Sequence, residues 1–387
     1  MRVTHVITRL IIGGAQENTI ATVLGLQHYP GLQVNLLSGP STGPEGSLES
    51  AFAAQPELLT VLPSLIRPIQ PWCDLVAWRR LVAIFRATPP RIVHTHSGKA
   101  GLLARLAARR AGVPIIIHTI HGPSFGPFQG MVPNLVFRAS ERCAAKVTTH
   151  FISVADAMTR QYVAAGIGRP EQYSRIFSGF ALEPFLAARN DPELRARLGL
   201  APEDFVVGVI ARLFHLKGHD DLISAAPAVL RRHPQTKFLL VGDGVLRPSL
   251  QERARLTGLE KHFIFTGLVA PADIPEYVGV MDAVAHLSRR EGLPRALPQA
   301  LAAGRPVVAY DCDGANEVCF SGRTGFLIPA GDVKTLAERM AQLAGDAALR
   351  ERLGRCGREF VRENFAVETM VEKIYALYQK LALTESK

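Results

Sequence analysis

AHLSRREGLPRALPQALAAGRPVVAYDCDGANE, from Ala285 to Glu317, is the stretch on which the reading of this chain turns. It takes over from an apolar run, Asp282–Leu287, that stops at Ser288. A short apolar run followed by a helical pattern marks a buried strand of a parallel sheet. Glu291-Gly292-Leu293-Pro294 makes a tight connection, and Pro294 stands where a helix can begin. The spacing predicts a helix from about Arg295 to Ala303, stopped by Gly304, and then a second strand, Pro306–Tyr310. Glu291 is thereby placed on the loop after a strand, where open α/β sheets bind ligands. Gln299 lies inside the helix that follows.

This segment resembles the signature of the retaining glycosyltransferases of family 4, a glutamate, seven residues and a second glutamate. Glu291, the Gly292-Leu293-Pro294 after it and the downstream Gly314…Glu317 match; Gln299 stands where the second glutamate is expected. The resemblance implies that Glu291 contacts a donor sugar, that Gly292, Leu293 and Pro294 line its place, and that residue 299 receives the ribose hydroxyls. A glutamine offers one carbonyl acceptor and no charge, so weaker ribose binding is expected there.

A length of 387 residues suits two domains of near-equal size, and 48% hydrophobic with 20% charged residues is a globular composition. No apolar run reaches the roughly 18–20 residues that span a bilayer. Thr4, His5, Thr8 and Arg9 interrupt the apolar N-terminus, which reads as a first strand and not as a leader. Cys73, Cys143, Cys312, Cys319 and Cys356 form an odd, scattered set without a C-x-x-C pair, which points to reduced thiols in a cytoplasmic protein. Residues 1–180 hold 17 Lys+Arg against 8 Asp+Glu, the remainder 27 against 26. Either this surface is simply solvated, or the N-terminal half faces an anionic partner. Such a partner would be a phosphorylated or lipid-linked acceptor, or the inner membrane face, met peripherally. Nucleic acid is not expected, because the basic residues are dispersed and lack interleaved aromatics.

Val3–Thr8 reads as a strand leading through Gly13-Gly14 into a helix that ends near Leu26. Glycines there either let backbone N–H groups approach a phosphate or merely pack a close turn. A strand at Gln33–Ser38 precedes the irregular SGPSTGPEGS. From Leu58 to Phe85, Trp72, Trp78 and aliphatic residues stand beside arginines. They form a membrane-surface patch or, the favoured reading, pack onto the sheet, since Pro63, Pro68 and Pro71 interrupt any long amphipathic helix. Arg91–His94 is a strand, and Ser97 is the expected cap of the next helix. His94 and His96 are read as facing opposite sides of that strand; without an adjacent carboxylate or third histidine they carry no metal expectation. Pro114–Thr119 leads to His121, which serves a backbone carbonyl or a site. Phe125–Met131 is a candidate mobile lip.

Strands and helices alternate to Phe177, the pattern of a doubly wound parallel sheet, and the polar stretch from Ser178 to Leu198 reads as a linker. The pattern restarts at Phe205–Ile210, which delivers Arg212 and Lys217 to the start of a helix with Leu222, Ile223, Ala226, Val229 and Leu230 on one face, where Pro227 is expected to set a kink. There two cations and the helix dipole would converge on a diphosphate; unpaired surface cations are the alternative. Lys237–Val241 and Phe263–Phe265 are further strands, the latter followed by Thr266-Gly267.

Several of these segments also resemble family 4. The resemblance implies that Gly13 and Gly14 border the donor diphosphate, that His96 lines the cleft, and that His121 sits near the donor sugar. It further implies that Arg212 and Lys217 form a pyrophosphate clamp and that Thr266 and Gly267 run along the nucleotide. The expected fold is α/β of the GT-B type, two Rossmann-like doubly wound domains facing a cleft. Residues 1–180 with a C-terminal helix at about 367–387 form the acceptor side, residues 181–366 the nucleotide-sugar side. The expected activity is retaining transfer of a hexosyl unit from a nucleotide sugar to a glycan, lipid-linked or small-molecule acceptor in polysaccharide or glycolipid synthesis. No cofactor and no metal are expected. Two rivals stand beside it: a nucleotide-sugar epimerase and a non-catalytic nucleotide-sugar-binding protein of the same fold.

Overall fold

The computed structural model describes residues 1–41, 46–96, 98–126 and 129–384. Parallel strands covered on both faces read as near-continuous apolar runs, with any buried polar side chain hydrogen-bonded. Ile115–Ile120, IIIHTI, is such a run and is buried at every position. The chain divides into two compact units, Met1–Phe180 with Ala366–Lys387, and Ala181–Phe365.

Unit 1 is built on β1 (Arg2–Ile7), β2 (Gln33–Ser38), β3 (Leu59–Val61), β4 (Ile92–His96), β5 (Ile115–Ile120), β6 (His150–Ser153) and β7 (Tyr173–Arg175). These strands are parallel and lie in the order β3-β2-β1-β4-β5-β6-β7, so the order reverses between β1 and β4. The last helix, Val367–Thr384, sends Met370, Val371, Ile374, Leu377 and Tyr378 into the same core as Val23 and Leu26 of the first helix. A Cβ on Gly25 would lie 2.6 Å from Val371, so the two helices approach where the side chain is missing.

Unit 2 holds β8 (Phe205–Ile210), β9 (Thr236–Val241), β10 (Phe263–Gly267), β11 (Ala283–His286), β12 (Val307–Tyr310) and β13 (Gly325–Ile328). They too are parallel, in the order β10-β9-β8-β11-β12-β13, with the reversal between β8 and β11. Val207, Leu222, Phe238, Ala285 and Val308 belong to its core. The helix of the opening segment is Ala296–Ala302, and the chain leaves it through Gly304 at φ +70°.

Several expectations are corrected. Leu59–Val61 is a strand too short and too exposed to show periodicity. Pro71 does not interrupt a helix but begins one, Pro71–Ala87, where its missing N–H costs nothing. Ala77, Leu81, Val82 and Phe85 of that helix face the core, whereas Trp72 is 81% exposed and does not pack onto the sheet. The stretch expected as a linker contains the helices Glu183–Leu186 and Pro192–Arg197, the second capped by the Asp191 carboxylate. The helix His219–Leu230 includes Pro227, as the sequence pattern expects. The Ser97 cap, residues 42–45 of the irregular stretch and residues 127–128 of the expected lip lie outside the described residues. Among those described, no helix is long and apolar enough to cross a membrane.

Candidate active site

The reversal of strand order in unit 2 opens the loops after β8 and β11 toward each other, the position where such sheets hold ligands. Gly218 begins the helix His219–Leu230 at φ +73°, and a Cβ there would lie 2.3 Å from the Leu287 carbonyl oxygen. Only glycine fits. Leu216 also has a left-handed backbone, and its carbonyl accepts from the Arg289 N–H at 2.8 Å and the Ser288 hydroxyl at 3.4 Å. The two loops are thus stitched together. Their side chains meet in an ion pair between Lys217 Nζ and Glu291 Oε1. Lys217 is therefore not an unpaired surface cation. The Arg212 guanidinium is exposed, 5.6 Å from the centre of the Phe214 ring, while the Arg212 carbonyl accepts from His219 Nε2 at 3.1 Å.

Glu291 is anchored through its backbone, its N–H donating to Asp313 Oδ2 at 2.7 Å, and Gly314 N–H donates to the Gly292 carbonyl at 3.1 Å. His286 Nε2 lies 3.8 Å from Glu291 Oε1. Burial pushes His286 down to about 4, against the raising effect of Glu291, so the ring is neutral near pH 7. Burial alone would raise the Glu291 carboxyl. The Lys217 charge, with hydrogen bonds from Lys217 and Ser288, outweighs it and brings the carboxyl below its ordinary value. Glu291 is ionised. His286, Ser288 and Asp313 were missed by sequence reasoning. His286 at the carboxyl end of a strand was the one available signal.

Thr266 and Gly267 end β10, and Gly267 accepts from the Gly242 N–H at 3.1 Å and the Thr266 hydroxyl at 2.9 Å. Gly292, Leu293 and Pro294 are buried, and Gln299 is half-buried on the helix Ala296–Ala302. Among the described residues the Gln299 amide has no side-chain hydrogen-bond partner. Arg212 and Lys217 lie on the loop that leads into the N-terminus of the helix His219–Leu230, where the backbone N–H groups are unpaired within the helix.

In unit 1, Gly13 precedes the helix Gly14–Leu26 with an extended backbone, and a Cβ there would meet only the flexible Gln16 side chain, at 2.7 Å. His96 is buried, and His121, half-buried, places Nε2 3.1 Å from His96 Nδ1. The reading of His94 and His96 as facing opposite sides fails. Residues two apart on a strand share a face, and these ring centres are 4.4 Å apart. A third histidine, His5, comes from the neighbouring β1, with its ring 4.8 Å from that of His94.

Residues 14–176 match the model of the glycosyl transferase 4-like domain, and residues 190–360 that of glycosyl transferases group 1. Over 289 residues, 72% of this chain and 73% of the relative, the sequence is 30% identical to the GDP-mannose-dependent alpha-(1-6)-phosphatidylinositol monomannoside mannosyltransferase of Mycobacterium tuberculosis. The chain belongs to the family 4 glycosyltransferases. This glycosyltransferase is also 29% identical, over 98% of its length and 96% of the relative's, to the UDP-Gal:alpha-D-GlcNAc-diphosphoundecaprenol alpha-1,3-galactosyltransferase of Escherichia coli. Its fold is that of Anabaena HepE, solved in complex with UDP (TM-score 0.81, 23% identity, 98% of this chain and 100% of the other). Sucrose-phosphate synthase of Thermosynechococcus elongatus shares it as well (TM-score 0.78, 18% identity, 99% and 100%). The glycosyltransferase therefore has the GT-B fold class, with two Rossmann-like parallel-sheet domains.

Proposed function

We propose that this glycosyltransferase moves a hexosyl unit from a UDP-sugar to an acceptor sugar carried on a lipid diphosphate, with retention at the anomeric carbon. The observation that carries the reading is the meeting of Lys217 and ionised Glu291 at the β8/β11 reversal, with Arg212 and a helix N-terminus beside them. Breaking the donor's glycosidic bond leaves negative charge on the diphosphate and positive charge on the sugar. Arg212, Lys217 and the helix N-terminus stabilise the first. Glu291 faces the second, and His121 orients the sugar. The departing phosphate takes the proton of the acceptor hydroxyl as the new bond forms on the same face. Gln299 and the Thr266-Gly267 turn hold the nucleoside, and Gly13-Gly14 border the diphosphate. Two cations on the diphosphate make a divalent metal unnecessary in this scheme.

The UDP donor and lipid-diphosphate acceptor are supported by the Escherichia coli relative, matched almost end to end, and by the excess of basic residues in residues 1–180. The test is incubation of the full chain with UDP-hexoses and a prenyl-diphosphate-linked sugar, followed by NMR of the product's anomeric proton. An α-linked product from an α-linked donor is expected. Inversion would overturn the mechanism; an epimer or free sugar formed equally without acceptor would overturn the transferase reading. A melting-temperature panel of UDP, GDP and ADP checks the base separately, because a ligand of the native state raises stability by mass action.

A further inference from the structure

Beneath His121, unit 1 holds a chain of hydrogen bonds that the reaction scheme does not use. His121 Nε2 is 3.1 Å from His96 Nδ1, and His96 Nε2 is 3.0 Å from His5 Nδ1. His5 Nε2 is 3.3 Å from the Tyr378 hydroxyl, which is 2.5 Å from His94 Nδ1. His94 Nε2 ends the chain 2.6 Å from Thr119 Oγ1. β1 supplies His5, β4 supplies His94 and His96, and the C-terminal helix reaches in with Tyr378. All but His121 are buried.

A neutral imidazole carries one N–H and one bare nitrogen. Burial lowers His5 to about 3 and holds His94 and His96 well below their ordinary value, so these rings are neutral near pH 7. Since both nitrogens of His5, His94 and His96 are engaged, the proton's place on one ring dictates its place on the next. Only two arrangements satisfy the chain, running in opposite senses. Thr119 chooses between them. Its hydroxyl is 4% exposed as a residue and, among the described residues, meets only His94 Nε2. When the hydroxyl donates, His94 Nδ1–H donates to Tyr378, Tyr378 to His5 Nε2, His5 Nδ1–H to His96 Nε2, and His96 Nδ1–H to His121 Nε2. In the opposite sense the Thr119 hydrogen is left buried without an acceptor, which folded proteins avoid.

We propose that this chain fixes His121 as the neutral tautomer protonated on Nδ1, with His96 and Tyr378 as its positioning residues. His121 cannot then gain a second proton on Nε2 unless the whole chain reverses. It stays a neutral hydrogen-bond donor, which suits a group beside developing positive charge better than a cation does. The consequence for rate rests on the role given to His121 above; the tautomer does not. His5, His94 and His96 also place ligand atoms within 4.8 Å of one another, the spacing of a metal site. Each ring nitrogen already has a partner, however, so an ion would have to displace Tyr378 or Thr119.

The experiment is a long-range proton–nitrogen NMR spectrum of the full chain labelled with 15N-histidine. His121 is expected to show a protonated Nδ1 and a bare Nε2. Thr119→Ser should keep that pattern. Thr119→Val removes the donor that sets the sense, and Tyr378→Phe cuts the chain, so each should turn the single tautomer into a mixture. If Tyr378→Phe fails to fold, Thr119→Val carries the test alone. A native His121 protonated on Nε2, or one unmoved by both variants, would overturn the proposal, as would histidine signals that shift with one equivalent of Zn2+. In turnover assays both variants should lower kcat about tenfold with donor KM unchanged. Mixed tautomers at unchanged kcat would uphold the chain and sink the role of His121 in the reaction.

Discussion

Lys217 and Glu291, 74 residues apart in sequence, are joined as an ion pair that closes the loop after β8 onto the loop after β11. The pair keeps Glu291 charged despite its burial, and it holds Lys217 at the head of the helix His219–Leu230. Glu291 therefore depends on Lys217 for its charge.

Arg212→Ala and Lys217→Ala are each expected to weaken binding of a nucleoside diphosphate far more than of the nucleoside. Hydrogen bonds to charged groups contribute about 1.5–3 kcal/mol, which corresponds to roughly ten- to hundredfold in affinity. Calorimetry with UDP and uridine measures both. Equal losses for the two ligands would mean that the cations serve the fold and not the phosphates.

Stability should fall as pH drops from 6.5 toward 5. His5, His150 and His286 are lowered by burial to about 3, 4 and 4. A group lowered in the folded state stabilises it above the unfolded value and loses that contribution as pH falls toward the folded one. In this window the unfolded chain binds protons that the native chain refuses. At 1.36 kcal/mol per proton these three alone give a slope near pH 5.5 of about 4 kcal/mol per pH unit, and His94, His96 and His118, held well below their ordinary value by burial, steepen it. The lowered Glu291 adds a further loss below the ordinary carboxylate range. Urea unfolding at several pH values reads the slope; a flat profile between 6.5 and 5 would show that the rings are charged in the native state.

Gln299→Glu should tighten donor binding by about 1 kcal/mol, roughly fivefold, if residue 299 faces the ribose, because a carboxylate accepts both hydroxyls with charge assistance. The variant and the parent are compared with ribose and 2′-deoxyribose forms of the same nucleotide. An unchanged ribose/deoxyribose ratio would remove Gln299 from the nucleotide site.

Unit 1 exposes Trp72 and, on the helix Met131–Ala145, Met131 at 86% with Val132, Leu135 and Val136. If this half meets an anionic membrane, co-sedimentation with anionic vesicles should weaken as salt rises to physiological levels, and Trp72→Ser or Leu135→Ser should weaken it further. Binding indifferent to both salt and substitution would leave these residues as ordinary surface.

The α/β architecture of two doubly wound sheets was legible because it rests on local patterns, apolar runs of strand length, helix signals between them, and Gly304 ending a helix where only glycine takes φ +70° easily; the GT-B class came from the resemblance to family 4. The placement of Glu291, Arg212 and Lys217 on loops after strands was legible for the same reason, whereas the roles expected of them came from the resemblance. What surrounds them was not. Asp313 reaches the Glu291 N–H from 22 residues away, and the Lys217–Glu291 pair exists only because β8 and β11 are neighbours at the reversal of strand order. Tyr378 meets His5 across 373 residues of sequence. Propensity and periodicity describe how a segment folds, and they extend only a few residues along the chain. The order in which strands pair, and the burial that pairing produces, decides which distant side chains touch and which of them carry charge.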